Sequence, residues 1–253
     1  MAEKHFYEQQ NFAKSYLVPY LRQFIPDFEK ANLLEIGCGE AGFLDVLHQS
    51  GMSVTGIEIE SSRIEIALRK NPNLKILHAD ITDSQIIEQA GQQYDIIVMR
   101  DVIEHIKDRD ALFRNLCQLI KPGGFLYITF PPKLSGFAGH QQNGKTVLRY
   151  IPYLHLLPVP LIKILAKIFK ERPQVISQVI LNYKVGLTIR HFTKLYRTYK
   201  FTPIVKDLFL IRPIFQLRFK LTPRRIPAIP LLSEFLAFGC EYLLTKDHSE
   251  SNK

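Results

Sequence analysis

Between residues 31 and 130, short apolar runs alternate with amphipathic stretches. The runs have the length of strands, and the stretches between them place apolar residues three and four positions apart, as helices do. One run, YDIIVM at 94–99, is almost continuously apolar, which is typical of a strand covered on both faces of a parallel sheet. The pattern predicts five strands, at residues 32–36, 54–59, 74–78, 94–99 and 125–130.

Helical patterns precede, separate and follow these strands. Strands that alternate with helices in this way indicate a doubly wound, mostly parallel α/β sheet. The KPGG sequence at 121–124 predicts a turn before the fifth strand. We predict a long amphipathic N-terminal helix at residues 3–30 and further helices at residues 41–50, 61–70, 84–90, 110–120 and 191–199.

The alternation is lost after Pro131 and Pro132. A glycine-rich loop, SGFAGHQQNG at 135–144, comes next, and an apolar segment interrupted by prolines follows it. Two later apolar stretches, at 203–211 and 235–245, are predicted strands, and a basic, proline-containing link joins them. We therefore predict a seven-stranded sheet with one insertion after strand five and another between the last two strands.

Composition restricts the class of protein. With 46% hydrophobic and 23% charged residues, the chain of 253 residues has the composition of a globular protein. Its three cysteines, Cys38, Cys117 and Cys240, are odd in number and widely spaced, so they predict neither a disulfide framework nor a zinc cluster. The first residues lack the apolar run of a secretory signal, and no run of about 18 apolar residues predicts a spanning helix. We expect a cytoplasmic protein.

The net charge of +9 is unevenly distributed. Residues 1–132 contain 13 Lys+Arg and 18 Asp+Glu, a net charge of −5, whereas residues 133–253 contain 20 and 6, a net charge of +14. A basic half indicates an anionic partner. Its basic residues are interleaved with long aliphatic stretches, and the sequence has no recognised RNA-binding module, so we favour an anionic membrane surface or a small molecule over nucleic acid.

The first strand ends in a glycine turn within LLEIGCGEAGF at 33–43. Gly37, Gly39 and Gly42 match the G-x-G-x-x-G pattern, which lets backbone N–H groups and a helix N-terminus approach a nucleotide. Glu58 follows the second strand, where it is suitably placed to accept hydrogen bonds from two ribose hydroxyls. These features fit a dinucleotide as well as S-adenosylmethionine. Glu35, inside the strand, favours S-adenosylmethionine, because a ligand ammonium group can offset the cost of burying a carboxylate.

Five stretches, in order across residues 31–132, resemble the class I S-adenosylmethionine-dependent methyltransferases, in particular the type 11 members that act on quinones and glycans. They are EIGCGEAGF, GIEIE, HADITD, YDIIVMRDVIEHI and LIKPGGFLYITFP. The resemblance implies a Rossmann-like fold with S-adenosyl-L-methionine as cofactor. The family's third glycine is Ala41 here. The implied cofactor-binding residues are Glu35, Gly37, Cys38 and Gly39 at the methionine and ribose end, Glu58 and Ile59 at the ribose, Asp80 and Ile81 at the adenine, and Arg100 through its main chain near the methionine.

The resemblance also implies a single domain over residues 1–253. We divide it into a helical cover (1–30), a cofactor-binding half (31–132), a helical and loop insertion for the substrate (133–189), and the last helix and strands with the basic link (190–246).

Transfer of a methyl group to a hydroxyl requires a base that accepts the proton. The histidines in suitable segments are His105, His140, His155 and His191, and we favour His105 and His140 as the catalytic residues. His140 lies with Gln141 and Gln142 where acceptor-binding loops of this fold occur, although the same residues fit a surface loop, and His105 also fits a residue that orients the next helix.

Three residues of DVIEH have a spacing that suits a divalent ion. Asp101, Glu104 and His105 could bring oxygen and nitrogen ligands together, and the quinone O-methyltransferases look similar here. The same residues also fit the start of a helix without a metal, because acidic side chains there interact favourably with the helix dipole. We expect no metal and keep this set as the alternative.

The segment PLIKILAKIFK at 160–170 predicts a helix that sets apolar residues against Lys163, Lys167 and Lys170. It fits a lid over an amphiphilic acceptor, an interfacial helix on lipid, or a helix packed on its own domain.

We predict a methyltransferase that transfers the methyl group to an oxygen of a small, lipid-linked or glycan acceptor and lies peripherally at the inner membrane face. Two alternatives stay open: a quinone-precursor O-methyltransferase at the membrane, and a cofactor-fold protein that has lost catalysis and serves as a binding partner.

Overall fold

One mixed sheet organises the chain, in a computed structural model that describes residues 2–247. Its strands run in the order β3-β2-β1-β4-β5-β8-β6-β7. The first five strands are parallel, and β8 is antiparallel to both β5 and β6. The predicted doubly wound, mostly parallel α/β sheet is confirmed. The strands are β1 (Leu33–Ile36), β2 (Val54–Glu58), β3 (Lys75–His78), β4 (Tyr94–Arg100), β5 (Ile120–Phe130), β6 (Phe201–Ile211), β7 (Arg224–Ile226) and β8 (Gly239–Lys246).

The sheet has eight strands within the described residues, one more than predicted. The additional strand, β7, comes from the basic link and pairs antiparallel with β6 at the edge of the sheet. A three-residue strand in a basic sequence carries no alternating pattern, so nothing in the sequence indicates it. β8 begins four residues later than the predicted stretch at 235–245, because Leu232–Leu236 form a helix.

Helices cover both faces of the sheet, and every predicted helix is present. Those at Pro173–Val185, Pro213–Phe219 and Leu232–Leu236 were not predicted. The helices are α1 (Ala2–Phe12), α2 (Val18–Phe24), α3 (Gly42–Gln49), α4 (Ser61–Lys70), α5 (Ile86–Ala90), α6 (Arg109–Leu119), α7 (Val159–Ile168), α8 (Pro173–Val185), α9 (Ile189–Thr198), α10 (Pro213–Phe219) and α11 (Leu232–Leu236).

Two local predictions differ from the structure in detail. The N-terminal helix was predicted within residues 3–30, with Pro26 and Asp27 ending its run, and it ends at Phe24, because Pro26 disfavours a helical backbone at Ile25, which is extended. A π-helical turn, Ala13–Leu17, joins α1 and α2. The KPGG segment is part of β5 rather than a turn before it: Tyr94 pairs with Ile120 and Ile96 pairs with Phe125, so the extra residues form an irregularity in the strand.

Apolar side chains form a core on each face of the sheet. On one face, α1–α3 and the π-helical turn pack on strand residues such as Leu33 and Tyr127. On the other face, α5, α6 and α9 pack on residues that include Phe130 and Tyr242. A smaller core lies within the segment between β5 and α9 and includes Leu148, Ile162, Val175 and Val179.

The carboxyl ends of the parallel strands meet at one edge of the sheet, and the strand order reverses there between β1 and β4. Ligands of open α/β sheets bind at such a point. A cavity of about 950 Å³ lies at this edge, with walls that include residues of α1, α8 and α10. No helix in the described part of the chain has the length and apolar content needed to span a bilayer.

Candidate active site

The glycine turn after β1 forms one end of the cavity. Gly37 and Gly39 have left-handed backbones, with φ of 69° and 57°. A Cβ on Gly37 would lie 2.4 Å from Val102 Cγ2, so only a glycine fits here without displacement. Ala41, at the position of the family's third glycine, also has a left-handed φ of 59°, a conformation that costs a residue with a Cβ about 1–2 kcal/mol. The substitution of this glycine therefore leaves the shape of the turn intact at an energetic cost.

The N-terminal helix supports this turn. Gln9 Oε1 accepts a hydrogen bond from the Gly42 N–H at 2.8 Å, and Gln9 Nε2 donates to the Cys38 carbonyl at 3.3 Å. A Cβ on Gly42 would lie 2.1 Å from the carbonyl oxygen of Phe6, so glycine permits this close approach of α1. Sequence analysis missed Gln9, because a single glutamine in an amphipathic helix carries no signal.

Glu58 ties the end of β2 to the glycine turn. Its side chain is buried, with 5% of the residue exposed. Oε2 accepts a hydrogen bond from the Gly39 N–H at 2.7 Å, and Oε1 accepts from the Ile59 and Glu60 N–H groups at 2.9 and 3.0 Å. Oε2 therefore keeps lone-pair capacity for a ligand hydroxyl, whereas the two N–H groups occupy both lone pairs of Oε1.

Asp80 and Ile81 lie in the cavity wall after β3. Asp80 Oδ1 accepts hydrogen bonds from the Thr82 N–H and hydroxyl, both at 2.8 Å. This local turn orients the carboxylate, and neither of these two hydrogen bonds involves Oδ2. Ile81 is buried and offers an apolar surface beside the carboxylate, an arrangement that suits the edge and face of an aromatic base.

Glu35 and Arg100 form an ion pair beneath the cavity. Glu35 Oε1 accepts hydrogen bonds from Arg100 Nε at 3.1 Å and Nη2 at 2.6 Å, whereas its buried Oε2 has no hydrogen-bond partner among the described residues. Burial raises the pKa of the Glu35 carboxyl, and the Arg100 guanidinium opposes that rise. An unpaired buried carboxylate oxygen is costly, and a cationic ligand group would offset the cost.

Six of the nine predicted cofactor-binding residues line the cavity: Gly37, Glu58, Ile59, Asp80, Ile81 and Arg100. Glu35, Cys38 and Gly39 lie behind its wall. Cys38 is fully buried, and its Sγ would lie 2.7 Å from a Cβ on Gly56, so its side chain packs the turn against β2. The binding roles of all nine residues stay predictions.

Asp101 is held by an arginine from the second half of the chain. It has a left-handed φ of 54° and accepts hydrogen bonds from Arg212 Nη2 at 2.6 and 2.7 Å and from Thr129 Oγ1 at 3.2 Å. Desolvation by the surrounding side chains opposes ionisation, but Arg212 and the Thr129 hydroxyl together outweigh it and lower the pKa of the Asp101 carboxyl. Arg212 was not predicted as a site residue, because it lies 111 positions from its partner.

The predicted metal set is altered by this ion pair. The ligand atoms of Glu104, His105 and His140 lie within 4.8 Å of one another, so His140 takes the place that Asp101 had in the prediction. Both Glu104 oxygens are buried and lack a hydrogen-bond partner among the described residues. One carboxylate and two imidazoles are a donor set that could hold a divalent cation.

His105 and His140 lie edge to face, with ring centroids 5.4 Å apart. Burial lowers the pKa of His105 and lowers that of His140 to about 4, so both imidazoles are neutral at pH 7 and can accept a proton. His105 lines the cavity, whereas His140 is outside its wall. The other two histidines considered, His155 and His191, also lie outside it, with His155 Nε2 beside the Lys133 carbonyl.

Hydrogen bonds hold the loop after β5 together, although its sequence is rich in glycine and polar residues. Gln141, predicted beside His140 as part of a polar cluster for the substrate, is buried and donates from Nε2 to the carbonyls of Gly136 and Ile151. Its amide therefore holds the loop together and faces away from the cavity. Gln142 is exposed.

The cavity wall is more acidic than the chain as a whole. It contains eight Asp and Glu residues and five Lys and Arg residues, although the chain carries a net charge of +9. Such a wall favours a cationic ligand, whereas the excess positive charge lies elsewhere on the molecule.

Comparisons with known proteins agree with this geometry. A family model described as "Methyltransferase domain" matches residues 7–156. The ubiquinone biosynthesis O-methyltransferase of Caulobacter vibrioides is 29% identical over 128 residues, which are 49% of this chain and 51% of that protein. The protein of the same name from Coxiella burnetii is 29% identical over 99 residues, 39% of this chain and 42% of that protein. The chain thus spans about half the length of the curated relatives it matches.

Solved structures are similar over nearly the whole chain. Magnesium protoporphyrin IX methyltransferase from Synechocystis, solved with bound SAH, matches with a TM-score of 0.54 at 14% identity, over 95% of this chain and 84% of that one. A SAM-dependent methyltransferase from Archaeoglobus fulgidus matches with a TM-score of 0.55 at 12% identity, over 96% and 99%. At these identities the similarity shows the fold.

Proposed function

This chain belongs to the methyltransferase-domain family and is an S-adenosylmethionine-dependent methyltransferase, and we propose that it methylates a hydroxyl oxygen of a small, lipid-linked or glycan acceptor. The cofactor supplies a methyl group on a positively charged sulfur. The protein then has to align the acceptor oxygen and remove its proton. The observation that carries the proposal is the position of His105 in the wall of a cavity that six of the predicted cofactor residues also line.

In this proposal the cofactor lies along the carboxyl ends of β1 to β4. Glu58 would hold the ribose through its Oε2, and Asp80 would accept a hydrogen bond from the adenine amino group with Ile81 against the ring. The Glu35 carboxylate lies behind the wall, where Arg100 holds it in place, and its negative charge would favour the cationic methionine end. The acidic excess of the cavity wall supports this orientation of a cationic ligand.

His105 is the proposed proton acceptor, with His140 packed against its ring. Its lowered pKa keeps the imidazole unprotonated at neutral pH, which is the form that a base requires. The wall continues past His105 to Thr129 and Tyr127 of β5 and to Phe209 of β6, and we assign this end to the acceptor.

Methyl transfer from labelled S-adenosylmethionine to lipid, glycan and RNA fractions of a cell extract tests the proposal. We expect label in the lipid or glycan fraction, and a loss of about 10²–10⁴ in rate for His105→Ala, because general-base catalysis contributes that much. His191→Ala, an exposed histidine on α9, is the matched control. Label in RNA alone, or full turnover by His105→Ala, would contradict the proposal.

A second candidate is methylation of a quinone precursor at a membrane surface. The names of the curated relatives support it, as does the surface of α7. Leu161, Ile164 and Ile168 lie on one side of α7 and are 40%, 54% and 64% exposed. Lys163 and Lys167 lie next to them and are exposed as well. Exposed apolar side chains with lysines beside them are typical of an interfacial helix, because the apolar side chains enter the membrane surface and the lysines attract anionic headgroups.

A further inference from the structure

A buried carboxylate that belongs to none of the sequence motifs lies at the acceptor end of the cavity. Glu241 of β8 lines the cavity and is 3% exposed. Its Oε2 accepts a hydrogen bond from the Tyr16 hydroxyl at 2.9 Å, and its Oε1 accepts one from the Tyr127 hydroxyl. Tyr16 comes from the π-helical turn between α1 and α2 and Tyr127 from β5, so three distant parts of the chain converge on this side chain.

The register of the sheet connects Glu241 to Arg100, which was predicted to lie near the methionine end of the cofactor. Glu241 pairs directly with Thr129 of β5, and Thr129 pairs with Arg100 of β4. Paired residues project from the same face of a sheet. Two strand spacings of about 4.8 Å separate Glu241 from Arg100 along this row, or about 10 Å. Thr129 also donates to Asp101 at 3.2 Å, so a polar surface runs between the two ends.

Several charged and titratable groups face Glu241. Burial raises the pKa of its carboxyl to about 7, and the hydrogen bonds from Tyr127 and Tyr16 limit that rise. The carboxylate is thus about half ionised near neutral pH. The surrounding groups are Tyr16 of the π-helical turn, Tyr20 of α2, Tyr127 of β5, Asp207 of β6 and Arg212 after β6, and Arg225 of β7 forms an ion pair with Asp207.

We propose that Glu241 is a specificity-determining residue that binds a hydrogen-bond donor on the acceptor, a hydroxyl or an amine other than the group that receives the methyl. The tyrosine hydroxyls occupy one site on each carboxylate oxygen, which leaves lone pairs for a third donor. The inference rests on the proposed function, because it assigns this end of the cavity to the acceptor. It narrows the substrate to molecules with two polar groups, since an acceptor without the second donor would displace water from the remaining lone pairs of this buried carboxylate and offer them no hydrogen bond.

The probes are phenol and anisole, which share a ring and differ in the donor hydroxyl. Protein labelled with ¹³C at glutamate Cδ is titrated with each probe, both ligand-free and saturated with S-adenosylhomocysteine. Glu241→Gln assigns the signal. Glu171, a buried glutamate outside the cavity, provides the in-molecule control once Glu171→Gln has assigned it.

We expect phenol to shift the Glu241 signal and to lower its titration midpoint, since the donor stabilises the ionised form. The affinity for phenol falls as the pH drops through about 7, because the protonated carboxyl is the weaker acceptor. Glu241→Gln weakens phenol binding about tenfold at pH 8 and abolishes its pH dependence. Tyr16→Phe raises the titration midpoint, because it removes a bond to the ionised form. Anisole and the Glu171 signal show none of these changes.

Equal responses to phenol and anisole, or equal phenol affinity of wild type and Glu241→Gln at pH 8, would overturn the inference. Failure of the proposed function is recognised separately, by absence of methyl transfer to lipid or glycan. The NMR result with ligand-free protein does not depend on cofactor binding. An acceptor found by that transfer screen whose KM is the same for wild type and Glu241→Gln would also overturn the inference and leave the proposed function standing.

Discussion

Gly37 combines a left-handed φ of 69° with a neighbour, Val102 Cγ2, that lies 2.4 Å from the position of an added Cβ. Gly51 is a useful contrast, because its φ is 88° and a Cβ there would meet nothing within 4 Å. Both substitutions to alanine cost about 1–2 kcal/mol of backbone strain, and only the one at Gly37 also adds a clash beside the cavity.

We therefore expect Gly37→Ala to weaken binding of S-adenosylhomocysteine at least tenfold, because the turn must shift to relieve the clash. Gly51→Ala should bind it as wild type does and lower the melting temperature only modestly. Calorimetric titration and thermal unfolding measure the two effects. Unchanged affinity of Gly37→Ala would show that the turn does not contact the cofactor.

Glu104 provides a pH prediction. Burial raises the pKa of its carboxyl well above the ordinary value of 4.5, and Asp101 adds to the rise. The folded state therefore holds this proton more tightly than the unfolded state, so the contribution of Glu104 to stability is lost as the pH rises above about 4.5.

Glu104→Gln should be more stable than wild type at pH 8, and the difference should disappear at pH 4. Unfolding in urea at the two pH values measures it. The exposed Glu65 on α4 is the control, since its replacement by glutamine removes a charge from a solvated surface. A variant that is destabilised equally at both pH values would indicate a steric effect instead.

At the scale of elements, Glu171 ties the segment between β5 and α9 together. It lies between α7 and α8 and accepts hydrogen bonds from the Thr146 hydroxyl and from the Lys145, Thr146 and Arg172 N–H groups. Burial opposes ionisation, but these bonds outweigh it and lower the pKa of Glu171 to about 2. The stabilisation is present above pH 4.5 and is lost as the pH falls toward 2.

Glu171→Ala should loosen this segment and leave the cofactor end intact, because the small core around Ile162 and Val179 is separate from the two cores on the sheet. We expect faster proteolytic cleavage within residues 145–172 and unchanged affinity for S-adenosylhomocysteine. Lys170→Ala, an exposed neighbour, should be cleaved at the rate of wild type. Global unfolding of Glu171→Ala would contradict the separation of these cores.

For the whole molecule, charge and apolar exposure divide between two regions. The cavity has an acidic wall, whereas residues 133–253 carry a net charge of +14. The exposed apolar side of α7 lies in that basic half. A second exposed apolar set in the same half consists of Phe219, Leu221, Leu231 and Leu232.

If α7 meets an anionic membrane, the variant with Lys163→Glu, Lys167→Glu and Lys170→Glu should lose vesicle binding, because each lysine near such a surface contributes about 1 kcal/mol. Flotation with phosphatidylglycerol-containing and phosphatidylcholine vesicles at low and high salt measures it. Lys194→Glu, Arg197→Glu and Lys200→Glu on and after α9 form the matched control, with the same change of net charge at exposed positions. Equal binding by the two variants would rule out a specific contact through α7.

The alternation of apolar runs and amphipathic stretches was sufficient to predict the parallel half of the sheet, since strand and helix periods are properties of neighbouring residues. The same local information placed Gly37, Glu58 and Asp80 directly after strands, and strands of a parallel sheet end at a common edge. The difference in net charge between the two halves of the chain and the histidine shortly after β4, His105, are likewise visible in the sequence.

The acceptor end of the cavity was decided by tertiary structure alone. Arg212 reaches Asp101, Tyr16 reaches Glu241, and His140 joins Glu104 and His105, each across long separations along the chain. These contacts depend on strand order and on where the late strands and inserted helices pack. Their residue types are common and have no characteristic spacing, so only the folded arrangement brings them together, buries them and changes their proton affinities.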